Sequence, residues 1–389
     1  MQPFKVLVVF GTRPEAIKLA PLIKELSRHP QEFSCQVAVT AQHREMLDQV
    51  LRLFQITPDY DLDIMSKGQT LEQVTSRALN GLARVLQTAR PDIVLVHGDT
   101  TTTFAAALAA FYRQIKVGHV EAGLRTGNRY APFPEEMNRR LAAALTDIHF
   151  APTATARDNL LAEGIPARDI YVTGNTVIDA LQATVRPDYR FSDPRLQAID
   201  FKRRRVILVT AHRRENWGQP LREIFTALVE IIQRYQDVEV IFPVHYNPRV
   251  RQVATELLGG RERITLVDPL DYEPFANLMA RSYLVMTDSG GLQEEAPALG
   301  KPVLVLRDVT ERPEAVAAGT VRLVGTDRLN IIQASCELLE KQQLYLQMAR
   351  AVNPYGDGRA CSRIGAALKH YLGLRQTRPQ DFQPCEKDS

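Results

Sequence analysis

Residues 6–18 read VLVVFGTRPEAIK. The run Val6 to Phe10 is apolar on every position, the pattern of a strand covered on both faces. Gly11 then allows a tight turn, and Pro14 suits the first turn of a helix. The same rhythm recurs along the chain: a strand over 35–40 with a helix from about Arg44, one over 93–97 with an alanine-rich helix from Thr103, and one over 117–121 followed by a loop and a helix over 135–144. This alternation predicts a parallel sheet. A polar, proline-punctuated stretch interrupts it before strands restart at 206–210, 238–243, 264–267, 284–287 and 303–306. The expected fold class is therefore α/β, with two Rossmann-like doubly wound parallel-sheet domains facing across a cleft. Residues 1–185 form the first domain, 186–204 a linker and 205–358 the second. A capped amphipathic helix over 359–374 packs back on the first domain, and 375–389 form a flexible tail.

Two domains are also what 389 residues imply, since single cores stop growing below that size. Hydrophobic residues make up 45% and charged residues 24%, the balance of a folded globular protein rather than a disordered one. The net charge of +3 is dispersed, and the densest basic run, Lys202-Arg203-Arg204-Arg205, reads as a solvated lead-in to a strand, so no nucleic-acid partner is expected. Cys35, Cys336, Cys361 and Cys385 are far apart and form no C-x-x-C pair, which indicates neither a zinc site nor a disulfide framework. With no signal-like start and no apolar run approaching about 20 residues, no membrane partner is expected, and the cytoplasm is the default compartment.

Open α/β sheets bind ligands beyond the carboxyl ends of their strands. Arg13 stands at a helix start where phosphate would meet guanidinium and helix dipole, although the turn is not the G-x-G-x-x-G of dinucleotide sites. VHGDTTTT puts Asp99 at the end of the third clear strand, either as an N-cap or as a carboxylate that moves protons. HVEAGLR delivers Glu121 to the same rim. PFPEE opens a helix with Glu135 and Glu136 in its first turn; the helix dipole accounts for one glutamate, leaving Glu135 free to face the site. In the second domain His212 ends the first strand, placed to stabilise a phosphate or to donate a proton. Ser289-Gly290-Gly291 is a small-residue turn able to bare N–H groups to a diphosphate, with a carboxylate one turn later for ribose, and Arg307 and Arg312 add positive charge.

At GTRPEAIK, TAQHREM, VHGDTTTT, HVEAGLRTG, TGNTVIDAL, DSGGLQEEAP and ERPEAV the chain resembles the bacterial non-hydrolysing UDP-N-acetylglucosamine 2-epimerases, from about Lys5 to Leu372. The resemblance implies a glycosyltransferase-B-like fold, a homodimer, no metal and no nicotinamide cofactor. It assigns catalytic and phosphate-binding positions to Arg13, Lys18, Asp99, Glu121, Glu135 and His212, and nucleotide binding to Leu270, Phe275, Ser289, Gly290, Gly291, Glu295 and Arg312. Leu270 departs from the glutamine common in relatives beside the uracil. The resemblance also implies a second UDP-N-acetylglucosamine bound as effector through residues that include Gln42 and His43.

The chemistry fits the residues. No carbonyl acidifies the C2 proton of this sugar, the sequence lacks a nicotinamide fingerprint for oxidation at C3, and it lacks metal-ligand clusters. Elimination of UDP to 2-acetamidoglucal, followed by re-addition, is the route left; it needs a base on each sugar face and fixed positive charge for the leaving diphosphate. Three alternatives stay open on the sequence: epimerisation of a modified UDP-sugar, a glycosyltransferase of the same fold, and a silent UDP-sugar sensor.

Overall fold

The computed structural model describes residues 2–41, 44–66 and 68–384. The chain divides into two compact units, Met1–Ala183 with Tyr355–Gln383, and Thr184–Pro354.

In the first unit, β1 (Phe4–Phe10), β2 (Phe33–Val39), β3 (Tyr60–Asp61), β4 (Ile93–His97), β5 (Lys116–Val120), β6 (Ile148–Ala151) and β7 (Ile170–Val172) form one parallel sheet in the order β3-β2-β1-β4-β5-β6-β7. Leu7, Val9, Val94, Val96 and Val117 cluster with Leu82, Val85, Ala106, Ala107 and Ala110, which belong to the helices Leu71–Ala89 and Thr101–Phe111. The alanines let that second helix lie close to the strands. Strands buried on both faces dispense with polar alternation, which is why VLVVF reads as a continuous apolar run. The helix Ala360–Tyr371 belongs to this unit and packs on the helix Arg13–Ser27. Its first N–H groups, from Ala360 and Cys361, donate to the Asp179 carboxylate at 3.1 and 2.9 Å.

The second unit repeats the plan with β8 (Arg205–Thr210), β9 (Val238–Pro243), β10 (Ile264–Val267), β11 (Leu284–Thr287), β12 (Val303–Val305) and β13 (Val321–Leu323), ordered β10-β9-β8-β11-β12-β13 and parallel throughout. Ile207, Val209, Phe225, Phe242, Ile331 and Leu338 are among its core residues. Among the described residues no helix is long and apolar enough to cross a membrane.

Two segments differ from the sequence expectation. Residues 186–204 are not a free linker, because Phe191, Leu196 and Ile199 are buried, Phe191 stacks on Phe201, and the Arg186 N–H donates to Asn277 Oδ1 at 2.8 Å. Three apolar anchors scattered among polar residues and prolines have no periodicity to betray them. Residues 375–383 are docked rather than frayed. Arg378 lies 4.0 Å over the Tyr171 ring, the Val172 N–H donates to Asp381 Oδ1 at 3.0 Å, and the Phe382 N–H donates to the Val172 carbonyl at 2.7 Å. This stretch covers the edge of β7, whose unpaired backbone groups would otherwise be an exposed template.

Gly11 is required by a close approach. A Cβ there would stand 2.2 Å from Thr40 Oγ1 and 2.5 Å from Thr102 Oγ1, two buried hydroxyls that hydrogen-bond each other at 2.8 Å. Gly11→Ala is expected to cost about 1–3 kcal/mol through overpacking, seen as a lower midpoint of urea unfolding. An unchanged midpoint would mean that the threonines part without penalty.

Candidate active site

The strand order of the first sheet reverses between β1 and β4, so the loops after these strands diverge and leave room above the sheet edge. Glu15 braces this edge from inside. It is buried, accepts the N–H groups of Gly11 and Thr12 at 3.0 and 2.8 Å, and accepts the Thr100 hydroxyl at 2.7 Å, so one carboxylate joins the turns after β1 and β4. Burial pushes its pKa up, and the hydrogen bonds from Thr100, Gly11 and Thr12 pull against that rise.

Glu121 follows β5. Its carboxylate pairs with Lys18, accepts the Asn175 side-chain amide at 2.7 Å and lies 3.9 Å from His97 Nε2. Its backbone φ is +62°, a left-handed conformation that costs a non-glycine residue on the order of 1 kcal/mol or more and that collects at functional sites. The neighbouring His97 is kept neutral: burial pushes its pKa down to about 3, although the charge of Glu121 opposes the shift.

Asp99 is not the N-cap that its position allowed. Thr100 caps the helix Thr101–Phe111 by accepting the Thr103 N–H at 3.1 Å, which leaves the Asp99 carboxylate paired with Arg139. Arg139 in turn lies 3.6 Å from Glu136, which is fully buried and accepts the Thr126 N–H at 3.1 Å. Glu136 is therefore the structural acid of the PFPEE turn. Glu135, half-buried at the start of the helix Glu135–Ala144, has no side-chain hydrogen bond or ion pair among the described residues, and neither has Arg13 at the start of its own helix. Gln42 and His43 lie outside the described residues.

The second sheet reverses its order between β8 and β11; His212 and Ser289-Gly290-Gly291 follow these two strands, whereas Leu270 and Phe275 follow β10 and Arg312 follows β12. Asp288, fully buried after β11, accepts the N–H groups of His212 and Arg213 at 2.8 Å each and the Asn216 amide at 3.1 Å. His212 Nδ1 lies 3.2 Å from Asp288 Oδ1, which leaves Nε2 as the ring nitrogen open to a ligand. Burial raises the pKa of Asp288, but the His212 ring and the two N–H donors outweigh it and hold the carboxyl below its usual range. The His212 ring also stacks on His245 at 5.4 Å.

Ser289-Gly290-Gly291 leads into the helix Leu292–Ala298. The Ser289 N–H is already used, donating to Thr287 Oγ1 at 2.9 Å. Both glycines are optional for the fold: neither has positive φ, and an added Cβ would meet nothing closer than 3.9 Å at Gly290 or 3.6 Å at Gly291. Glycine here keeps the outer side of the turn bare. Glu295, one turn on, sits against Tyr272, whose hydroxyl pKa is pushed well up by burial and by that charge. Phe275 lies half-buried on the helix Tyr272–Arg281, and Leu270, also half-buried, on the loop after β10. Arg312 is paired with the buried Glu294, and its N–H donates to Thr310 Oγ1 at 3.0 Å.

The sequence profile of the UDP-N-acetylglucosamine 2-epimerases matches residues 24–369. The UDP-N-acetylglucosamine 2-epimerase of Bacillus subtilis is 55% identical over 382 residues, covering 98% of this chain and 99% of that protein. The chain belongs to the UDP-N-acetylglucosamine 2-epimerase family. The Escherichia coli K12 member is 54% identical over 379 residues, 94% of this chain and 98% of its own length. The crystal structure of the Neisseria meningitidis epimerase bound to UDP-GlcNAc superposes with a TM-score of 0.84 at 51% identity, covering 95% of this chain and all of that one. Its two parallel-sheet α/β domains make this chain glycosyltransferase-B-like, as expected of the family.

Residues that the sequence reading of this epimerase-family chain passed over are Arg139, Asn175 and Asp288, the partners of Asp99, Glu121 and His212. Asp288 had a signal, a carboxylate ending a strand just before two glycines. Arg139 and Asn175 act across separations of 40 and 54 residues, and although Asn175 stands in the TGNTVIDAL motif, nothing local marks either pairing.

Three buried histidines on adjacent strands give this unit an acid sensitivity. Burial holds His97 at about 3, His119 at about 4 and His149 at about 3. An unfolded chain protonates all three near pH 6.5, so it binds more protons than the folded one below that pH. Stability is therefore complete above about 6.5 and falls as the pH drops from there toward 4. Urea unfolding between pH 7.5 and 4.5 should show a slope that steepens below pH 6.5, with a ceiling of about 4 kcal/mol per pH unit for three groups. A flat profile from 7.5 to 5 would contradict neutral burial.

Proposed function

We propose that this chain, an isomerase, interconverts UDP-N-acetylglucosamine and UDP-N-acetylmannosamine by eliminating UDP to 2-acetamidoglucal, then rejoining UDP to C1 while a proton returns to the opposite face of C2. The observation that carries the reading is a pair of carboxylates, Asp99 and Glu121, on the ends of neighbouring strands, each paired with its own cation. Inverting an unactivated C2 centre needs one proton-handling group for each face of the sugar, and two fixed acids at one sheet edge supply them. Glu135 is the third carboxylate, without a side-chain partner among the described residues.

The C1–O bond breaks with charge developing on the diphosphate, and preorganised positive groups lower that barrier. Arg13, Lys18 and His212 take this role, with Asp288 orienting the His212 ring so that Nε2 serves the phosphate. The bare Ser289-Gly290-Gly291 turn receives the diphosphate, Glu295 the ribose, Leu270 and Phe275 the uracil, and Arg312 adds charge. Positioned acids and bases of this kind contribute roughly two to four orders of magnitude each. Family membership further supports a homodimer working in the cytoplasm on precursors of surface polysaccharide or cell-wall polymer, with a second UDP-N-acetylglucosamine as effector through Gln42 and His43.

Incubation of the purified chain with UDP-N-acetylglucosamine and no acceptor should yield the manno epimer. Asp99→Asn and Glu121→Gln should each slow that turnover by about 10²- to 10⁴-fold while thermal unfolding stays near that of the parent. Near-normal turnover in either variant would return that residue to a purely structural place on the rim.

A further inference from the structure

The loop after β12 carries a carboxylate that is held differently from its neighbours. Asp288 and Glu294 are buried and hydrogen-bonded, but the half-exposed Glu311 is held by charge alone. Its Oε1 lies 3.7 Å from Arg213 Nη1 and 3.6 Å from Arg307 Nη2, both beyond hydrogen-bond length, and among the described residues nothing donates a hydrogen bond to the carboxylate. Its Oε2 lies 4.0 Å from the position a Gly290 Cβ would take, with Arg213 Nη2 at 3.9 Å from the same point.

Arg307 completes the arrangement. Its side chain is 7% exposed, its Nε donates to Glu215 at 2.5 Å, and its Nη1 is buried with no acceptor among the described residues. Glu215 supplies Arg307 with a counter-charge, but the buried Nη1 donor without an acceptor still carries a cost. So two arginines flank one anionic group that lacks the hydrogen bonds that would fix it, and that group and Arg213 both border the bare glycine turn.

We infer that Glu311 is a stand-in for a phosphoryl group: it offsets the charge of Arg213 beside the glycine turn when the turn is empty, and a nucleotide diphosphate displaces it. The inference rests on the reading of the Ser289-Gly290-Gly291 turn as the UDP-binding turn. A phosphoryl group brings more charge and more acceptor oxygens than a carboxylate, and can give Arg213 the hydrogen bonds that Glu311 does not. An internal anion that must be displaced reduces apparent affinity by the fraction of seats it fills, so Glu311 weakens nucleotide binding although it lies beside the nucleotide. That sign separates it from a contact residue, whose removal weakens binding.

The test is calorimetric titration of UDP into the full chain and its Glu311→Gln and Glu311→Ala variants, with uridine titrated in parallel by ligand-observed NMR. Both variants should bind UDP about threefold to tenfold more tightly, the range expected when weak, exposed ion pairs stop competing, while uridine affinity stays the same. Unchanged or weakened UDP binding in the variants would overturn the inference. Equal tightening of UDP and uridine would overturn it as well, since the seat would then not be one for phosphate. A parent chain that binds neither compound would contradict the nucleotide reading itself.

Discussion

Both sheets of this molecule reverse their strand order once, and that reversal decides where chemistry is possible. In a parallel sheet every strand runs the same way, so all the loops that follow strands gather at one edge. Where the order turns, at β1/β4 and at β8/β11, the two helices leave on opposite faces and the edge between them stays open. Gly11, Arg13 and Asp99 follow the first pair of strands, and His212 and Ser289-Gly290-Gly291 follow the second. The fold supplies positions; the activity depends on which side chains occupy them.

A second regularity is the division of labour among acids. Glu15, Glu136, Asp288 and Glu294 are almost wholly buried, and each holds backbone N–H groups or an arginine. Such carboxylates would be expensive to bury unpaired, and their pairing fixes the turns on which more exposed groups stand. Asp99, Glu135 and His212 are those more exposed groups, and Asp99 and His212 are each tied to one of the buried anchors, through Arg139 to Glu136 and directly to Asp288. The left-handed backbone of Glu121 belongs to the same economy of strain, stored in a residue whose side chain is gripped from two sides by Lys18 and Asn175.

The strands were legible because buried parallel strands leave an unambiguous apolar run, as from Val6 to Phe10, and Asp99, Glu121 and His212 were legible because each closely follows such a run. What the sequence hid was mostly long-range. The Asp99–Arg139 and Glu121–Asn175 pairs carry no local mark, and the choice of Thr100 over Asp99 as helix cap turned on where Arg139 lies. The packing of residues 186–204 and the docking of the chain end on β7 rest on scattered anchors, Phe191, Leu196 and Ile199 in the first and Arg378, Asp381 and Phe382 in the second, in stretches whose polar composition resembles loop. Periodicity detects faces, not isolated pegs.

The central claim is that the C2 proton leaves the sugar during the reaction. Proton NMR of UDP-N-acetylglucosamine with the purified protein in heavy water, without added nicotinamide or metal, tests it most directly. Elimination predicts a manno product carrying deuterium at C2, because the acid that returns a proton to one face of C2 is not the one that removed it from the other, and it takes its own from solvent. A manno product that keeps its original proton at C2 would contradict elimination and, with it, proton transfer by Asp99 and Glu121.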